Sequence, residues 1–290
     1  MAKQPLAPTH KPVILRGDYS LAGPDYTVPQ AWESYTDAEH AVWRTLYTRQ
    51  IDLIERYAAP EFVAGAHALN ASAERIPRMD ETNRVLMQAT GWQVVAVPCL
   101  IPEEQFFAHL AARRFPVTRW IRRVEELDYL SEPDIFHDFF GHVPLLTNPM
   151  FARFMQAYGE AGPKAIAAGA LPMLARLYWY MVEFGLIATA AGLRAYGSGI
   201  LSSQGETVYC LEDPRPHRIA FDLERVMRTA YLIDDFQRTY FVIDSFEQLF
   251  RAGYDTDFAP IYSRYGATAP IPAGVVLPTD QLRSAAQSST

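Results

Sequence analysis

Apolar positions recur with a helical spacing through most of this chain. Behind Thr36-Asp37-Ala38-Glu39, a capping box, Trp43, Leu46, Tyr47, Ile51 and Ile54 keep the rhythm of one buried helix face. A second helix is predicted from Asp80 to a stop at Gly91. Pro102-Glu103-Glu104 opens another, with proline in the first turn, acids at its positive end, and Arg113 and Arg114 placed in its last turn. The pattern also predicts helices over 131–141, 150–158, 171–191 (apolar all round) and 221–231. Ser245-Phe246-Glu247-Gln248 reads as a capping box opening a final helix. Strand composition is confined to residues 92–97 and Thr239–Ile243. Pro5, Pro8, Pro12 and Pro24 punctuate an N-terminus without period, and Pro, Ser, Thr and Ala dominate beyond Gly266. The expectation is an arm over 1–24, one mainly α-helical domain with small β elements over 25–265, and a loose tail over 266–290.

Composition narrows the partners. Lys and Arg total 26 against 33 Asp and Glu, a net charge of −7, which argues against nucleic acid because phosphate binding rests on a basic face. At 49% hydrophobic and 20% charged, the chain is too apolar for wholesale disorder. Two cysteines, Cys99 and Cys210, make no disulfide framework and fit a reducing compartment. The N-terminus lacks the apolar core of a signal peptide. The most apolar long stretch, 177–193, contains Glu183 and lies between Arg176 and Arg194; a bilayer span wants about 20 residues without a charge. A cytoplasmic protein with no membrane partner is expected.

Candidate chemistry concentrates in Glu132-Pro-Asp-Ile-Phe-His137-Asp-Phe-Phe-Gly-His142-Val-Pro144. Histidines five apart point about 140° apart on an ideal α-helix, at roughly 100° per residue. Gly141 offers an exit, ending the helix so that His142 turns back toward His137. Taken singly, each histidine could equally be a surface or satisfied core residue. Glu183 is the third candidate: a carboxylate inside so apolar a stretch is costly unless neutralised, by a metal or by Arg176 seven residues earlier. Two histidines and one carboxylate suit non-haem Fe(II) and O₂ chemistry, whereas zinc on the same ligands suits hydrolysis.

Three stretches together resemble the pterin-dependent aromatic amino acid hydroxylases, in particular their short bacterial phenylalanine-hydroxylating branch. They are 132–144, Arg176-Leu-Tyr-Trp-Tyr-Met-Val-Glu-Phe-Gly-Leu186 and Tyr196-Gly-Ser-Gly-Ile-Leu-Ser-Ser203, in the family's order and spacing. The resemblance implies a single catalytic domain of that type, turning L-phenylalanine into L-tyrosine with O₂, Fe(II) and a tetrahydropterin. It implies His137, His142 and Glu183 as iron ligands and Glu132 as an acid beside the metal. It implies Arg122 as the clamp on the substrate carboxylate, held by Asp134 and completed by Ser202, with Pro133 and Trp179 against the substrate ring. Phe106 would stack on the pterin, with Ile101, Asp138 and Tyr178 on the pterin side. Ile233 aligns with a position that is apolar in phenylalanine hydroxylases and acidic in tyrosine hydroxylases. Leu130 and Ser131 replace a Thr-Pro pair of the animal members, and Cys99 a glycine of the pterin loop. A monomer is expected, since the tail has no heptads for a tetramerisation helix.

Blander readings stand beside these. Phe106 and Trp179 could be core aromatics, Arg122 could pair with Glu125 or Glu126 on a solvated face, and Ile233 could be a core residue of its helix. The remaining functional alternatives are a tyrosine or tryptophan hydroxylase of the same family, a zinc hydrolase with Glu132 as general base, and a non-catalytic helical protein with a structural metal.

Overall fold

Thr36 caps α1 (Asp37–Tyr57) as the sequence predicts: the Glu39 N–H reaches its hydroxyl at 3.2 Å, and the Glu39 carboxylate accepts the Thr36 N–H at 2.8 Å. The structure, a computed structural model, describes residues 16–284 except 129 and 131, so the expectations for residues 1–15, Ser131 and 285–290 lie outside the described residues. α1 buries Trp43, Leu46 and Ile54. There follow α2 (Pro60–Ala68), α3 (Met79–Ala89), β1 (Gln93–Val97), α4 (Glu103–Ala111) and β2 (Arg114–Thr118). β1 and β2 pair in parallel from Gln93↔Arg114 to Val97↔Thr118. Arg113 and Arg114 therefore do not close α4. Arg113 takes φ +56° and Arg114 begins β2, while His109 is the base in the last helical turn. Pro116 hides this strand in the sequence; it is tolerated because, among the described residues, β2 pairs only with β1.

α5 (Pro149–Ala167) runs past Tyr158, where Gly159, Gly162 and Pro163 suggest a stop. The glycines serve packing instead. A Cβ on Gly159 would lie 2.4 Å from the Ala111 nitrogen, and one on Gly162 2.1 Å from the Phe107 ring, so α4 and α5 approach backbone to backbone.

Both helices predicted around the candidate ligands are corrected. Instead of an α-helix over 131–141, residues Phe136–His142 form a π turn with Gly141 inside it. Instead of one helix over 171–191, α6 (Leu171–Tyr178) passes into a second π turn, Trp179–Glu183, and then into a hairpin of β3 (Leu186–Thr189) and β4 (Gly192–Ala195). An apolar run buried on all sides carries no period that separates helix from strand. Gly185 breaks the helix, for a Cβ there would meet the Tyr196 ring at 2.2 Å, and Gly192 turns the hairpin at φ +99°.

The second sheet has the order β4-β3-β6-β5, with β5 (His217–Ala220) and β6 (Thr239–Ile243) parallel to each other and β6 parallel to β3. α7 (Ser198–Leu201) and α8 (Gln204–Glu212) lie between β4 and β5. The helix expected over 221–231 shrinks to α9 (Leu223–Met227), capped by Asp222. α10 (Phe246–Tyr254) is capped by Ser245, but the Gln248 side chain accepts from Asp244 N rather than closing a box on Ser245. It is not final either, since α11 (Ala259–Tyr265) follows.

The expected loose tail is tied down as far as it is described. Ile271 exchanges backbone hydrogen bonds with Arg228 and Ala230 at 2.7 and 2.8 Å, and Asp280 pairs with buried Arg225 at 3.0 Å. Polar composition cannot reveal that a buried arginine elsewhere needs this carboxylate. Among the described residues no helix is long and apolar enough to cross a membrane.

Candidate active site

The two π turns solve the angular problem that the histidine spacing poses. A π turn closes i→i+5, so residues five apart become neighbours where an α-helix would splay them. His137 and His142 thus lie on one face, ring centroids 5.1 Å apart. The second turn is pinned by Phe184 N donating to Trp179 O at 2.9 Å, also five apart, and it delivers Glu183. His142 Nε2 is 3.3 Å from Glu183 Oε1 and His137 Nε2 is 3.5 Å from Oε2. One donor atom from each of the three residues lies within 4.8 Å of the others. The alternative partner for Glu183 is excluded, because Arg176 points to the Met227 carbonyl at 3.2 Å.

Neighbours fix these side chains. Ser202 donates its hydroxyl to Ser198 O at 2.8 Å, so it accepts from His137 Nδ1–H at 2.9 Å. In a neutral imidazole that bond directs the Nε2 lone pair toward Glu183, so the pair can share a bound cation between them. Ser198 donates to Glu183 Oε2 at 2.7 Å. Burial alone would raise the Glu183 carboxyl; His142, His137 and the Ser198 hydroxyl together outweigh it and hold the group at about 2. The donor set, two imidazoles and an ionised carboxylate, fits a divalent transition metal with open positions. Phe115, tilted against His142 with ring centroids 4.8 Å apart, and Ser198 escaped the sequence reading. The signal for Ser198 was its place between Gly197 and Gly199. A Cβ on Gly197 would sit 2.3 Å from the Glu183 carbonyl.

Arg122 and Asp134 form a buried two-pronged pair, Nε to Oδ2 at 2.8 Å and Nη2 to Oδ1 at 2.9 Å, at 8% and 0% side-chain exposure. Glu125 and Glu126 are not its partners. Asp134 also accepts from Arg122 N and His137 N, so one carboxylate orients both the clamp and the start of the histidine turn. Pro133 beside it is half-buried. Trp179 stacks on Tyr231 at 4.3 Å and donates Nε1–H to Gln237.

On the other side of His142, Tyr178 lies 6.3 Å from its ring and meets Phe106 edge-on at 5.6 Å. Phe106 and Ile101 are both half-buried. Asp138 accepts the Thr118 N–H at 2.7 Å and thereby locks the first π turn to the end of β2; burial pushes its carboxyl up, against both histidines. Glu132 is buried but stands outside the three-donor cluster, its Oε2 accepting from Cys99 Sγ at 3.3 Å and Arg16 N at 3.4 Å. Burial, with Glu132 adding to it, pushes the Cys99 thiol up to about 12.

Ile233 is the site residue that the structure does not bring in. It is 71% exposed on the loop between α9 and β6, neither a pocket wall nor a helix-core residue. The loop is closed through Gln237, which bonds Leu232 and Asp235 on either side of the exposed stretch.

Comparison with known proteins agrees with this geometry. The family model described as biopterin-dependent aromatic amino acid hydroxylase matches residues 26–254. Phenylalanine-4-hydroxylase of Chromobacterium violaceum is 56% identical over 261 residues, covering 90% of this chain and 88% of that protein. That of Ralstonia nicotianae is 58% identical, covering 90% and 83%. The crystal structure of the C. violaceum enzyme with iron and phenylalanine bound superposes with a TM-score of 0.86 at 54% identity, covering 89% of this chain and 94% of that one. The chain belongs to the biopterin-dependent aromatic amino acid hydroxylase family.

Proposed function

We propose that this protein is a phenylalanine 4-monooxygenase, converting L-phenylalanine and O₂ to L-tyrosine with a tetrahydropterin at Fe(II) held by His137, His142 and Glu183. The observation that carries the reading is the convergence of those three donors on two π turns. Bound Fe(II) and reduced pterin supply the activation of O₂ and the two electrons that ring hydroxylation needs. The protein's own part is holding and orienting. Ser202 keeps His137 in the tautomer that presents Nε2, and Ser198 aims the Glu183 carboxylate. Arg122, its Nε and Nη2 taken by Asp134 and its Nη1 3.4 Å from the Leu127 carbonyl, gives its remaining Nη hydrogens to the amino acid carboxylate beside Ser202. Pro133 and Trp179 flank the ring. Phe106 stacks on the pterin, with Tyr178, Asp138 and Ile101 behind it. Glu132, held by Cys99, is the acid that the family reading places on the metal side of the site.

Relatives at 56% and 58% identity bear the name phenylalanine-4-hydroxylase, which supports phenylalanine over tyrosine or tryptophan and oxygenation over zinc hydrolysis. A monomer in the cytoplasm completes the proposal; the two buried free cysteines support the reducing compartment. The test is tyrosine formation by the iron-loaded protein with phenylalanine, O₂ and tetrahydropterin, expected at a kcat/KM at least about tenfold above that for tyrosine or tryptophan, roughly 1.4 kcal/mol of discrimination. His137→Ala, His142→Ala and Glu183→Ala are each expected to lose iron and turnover. Near wild-type iron content and activity in any of the three overturns the ligand assignment.

A further inference from the structure

Gln237 is 1% exposed, at the end of the loop that runs from α9 into β6. Its Oε1 accepts the Trp179 indole N–H at 3.2 Å and Leu232 N at 3.4 Å, and its Nε2 donates to the carbonyls of Leu232 at 2.7 Å and Asp235 at 3.4 Å. An indole N–H only donates and a carbonyl only accepts, so this set of partners permits one orientation of the amide. The residue is itself anchored. Gln237 N donates to Glu206 Oε1 at 3.2 Å, and the Tyr240 hydroxyl donates to the same oxygen. Glu206 on α8 and Tyr240 on β6 are both buried.

Trp179 lies nearly parallel to Tyr231, 16° between planes at 4.3 Å. Stacking on a flat face resists tilting but leaves an indole free to slide and turn within its plane. The hydrogen bond to Gln237 removes that freedom, and the same amide closes the loop just after Tyr231.

We propose that Gln237, anchored by Glu206 and Tyr240, is a positioning residue for the substrate ring and acts through Trp179. The proposal rests on the reading of Trp179 as a wall of the ring pocket. A misplacement of about 1 Å at the reacting carbon is enough to cost a large share of the rate. With the ring displaced, O₂ would take two electrons from the pterin and leave as hydrogen peroxide, with no tyrosine made.

The experiment is a double-mutant cycle between Gln237→Met and Trp179→Phe, read three ways. In protein labelled with ¹⁵N-tryptophan, the Trp179 indole resonance is assigned by its loss in Trp179→Phe. Gln237→Met is expected to shift that resonance, raise the phenylalanine KM about tenfold with the pterin KM within twofold, and lower the tyrosine made per pterin oxidised below half. In the Trp179→Phe background it is expected to add little. An unmoved resonance overturns the pin. A moved resonance with unchanged phenylalanine KM and coupling overturns the positioning role, and so does a full effect of Gln237→Met in the Trp179→Phe background. Wild-type phenylalanine kinetics in Trp179→Phe alone defeat the ring-pocket reading and the proposal with it, and the resonance shift then tells the two failures apart. Gln237→Asn, an amide retracted by one methylene, serves the same cycle should Gln237→Met not fold.

Discussion

On the proposed reading Arg122 has two duties, and they separate experimentally. Its guanidinium pairs with Asp134, which is fully buried, and its Nη1, 3.4 Å from the Leu127 carbonyl, would also serve the substrate carboxylate. Arg122→Ala is expected to raise the phenylalanine KM far more than the pterin KM, by about 2–3 kcal/mol of lost charge-assisted bonding. It also strands Asp134, so the melting temperature falls. Arg122→Lys keeps the charge but not the fork, so it should recover stability more than KM. Equal KM effects on both substrates would make Arg122 a folding residue only. Glu206 gives a second residue-scale prediction. Burial pushes its carboxyl up to about 7, against the Tyr240 hydroxyl and Gln237 N–H that favour the charged form. The folded state then binds a proton that the unfolded chain gives up near the ordinary carboxylate range. Its contribution to stability is complete below that range and is lost as pH rises toward about 7. Glu206→Gln should flatten this part of the melting-temperature profile between pH 5 and 8, and a profile parallel to wild type would refute the shift.

At the scale of elements, the site depends on two π turns and on close packing behind them. α4 carries Phe106 and lies against α5 at Gly159, where a Cβ would meet backbone at 2.4 Å. Backbone cannot swing aside as a side chain can. Gly159→Ala should therefore destabilise by about 1–3 kcal/mol despite alanine's better helix propensity, read as a lower midpoint in chemical denaturation. A neutral or stabilising result would show that the two helices can separate without loss. α1 backs the first π turn in the same way, Trp43 meeting Phe136 and Phe139 edge-on at 5.4 and 6.1 Å. The wider turn is held in place by a packed aromatic layer as well as by its own hydrogen bonds.

Across the whole molecule, the segment after α11 returns to the body. Arg225 donates to Asp280, to the Val275 carbonyl and to Thr229, with its side chain 6% exposed. Asp280→Ala leaves a buried guanidinium short of its anion, a change of about 3–5 kcal/mol for a buried pair broken from one side. A fall in melting temperature of several degrees is the expected reading, and an unchanged one would return the tail to the loose state that its composition suggested.

The three donors that the structure brings together were legible in the sequence: a charge in an apolar run and two histidines beside it need a partner wherever the chain folds, and the flanking blocks carry the family's pattern. The capping box at Thr36 and the strand Thr239–Ile243 were legible as well, because caps and short β-branched runs are local. Tertiary structure alone decided how five-residue spacing puts His137 and His142 on one face, since a π turn has no local signature and is stabilised by what packs on it. It decided that the apolar run after Trp179 becomes a hairpin, because burial from all sides erases the period that would tell strand from helix. It decided, too, that Ile233 faces outward while Gln237 faces in. Which loop residue is buried depends on partners far along the chain, here Trp179 and Glu206, and no spacing within the loop encodes them.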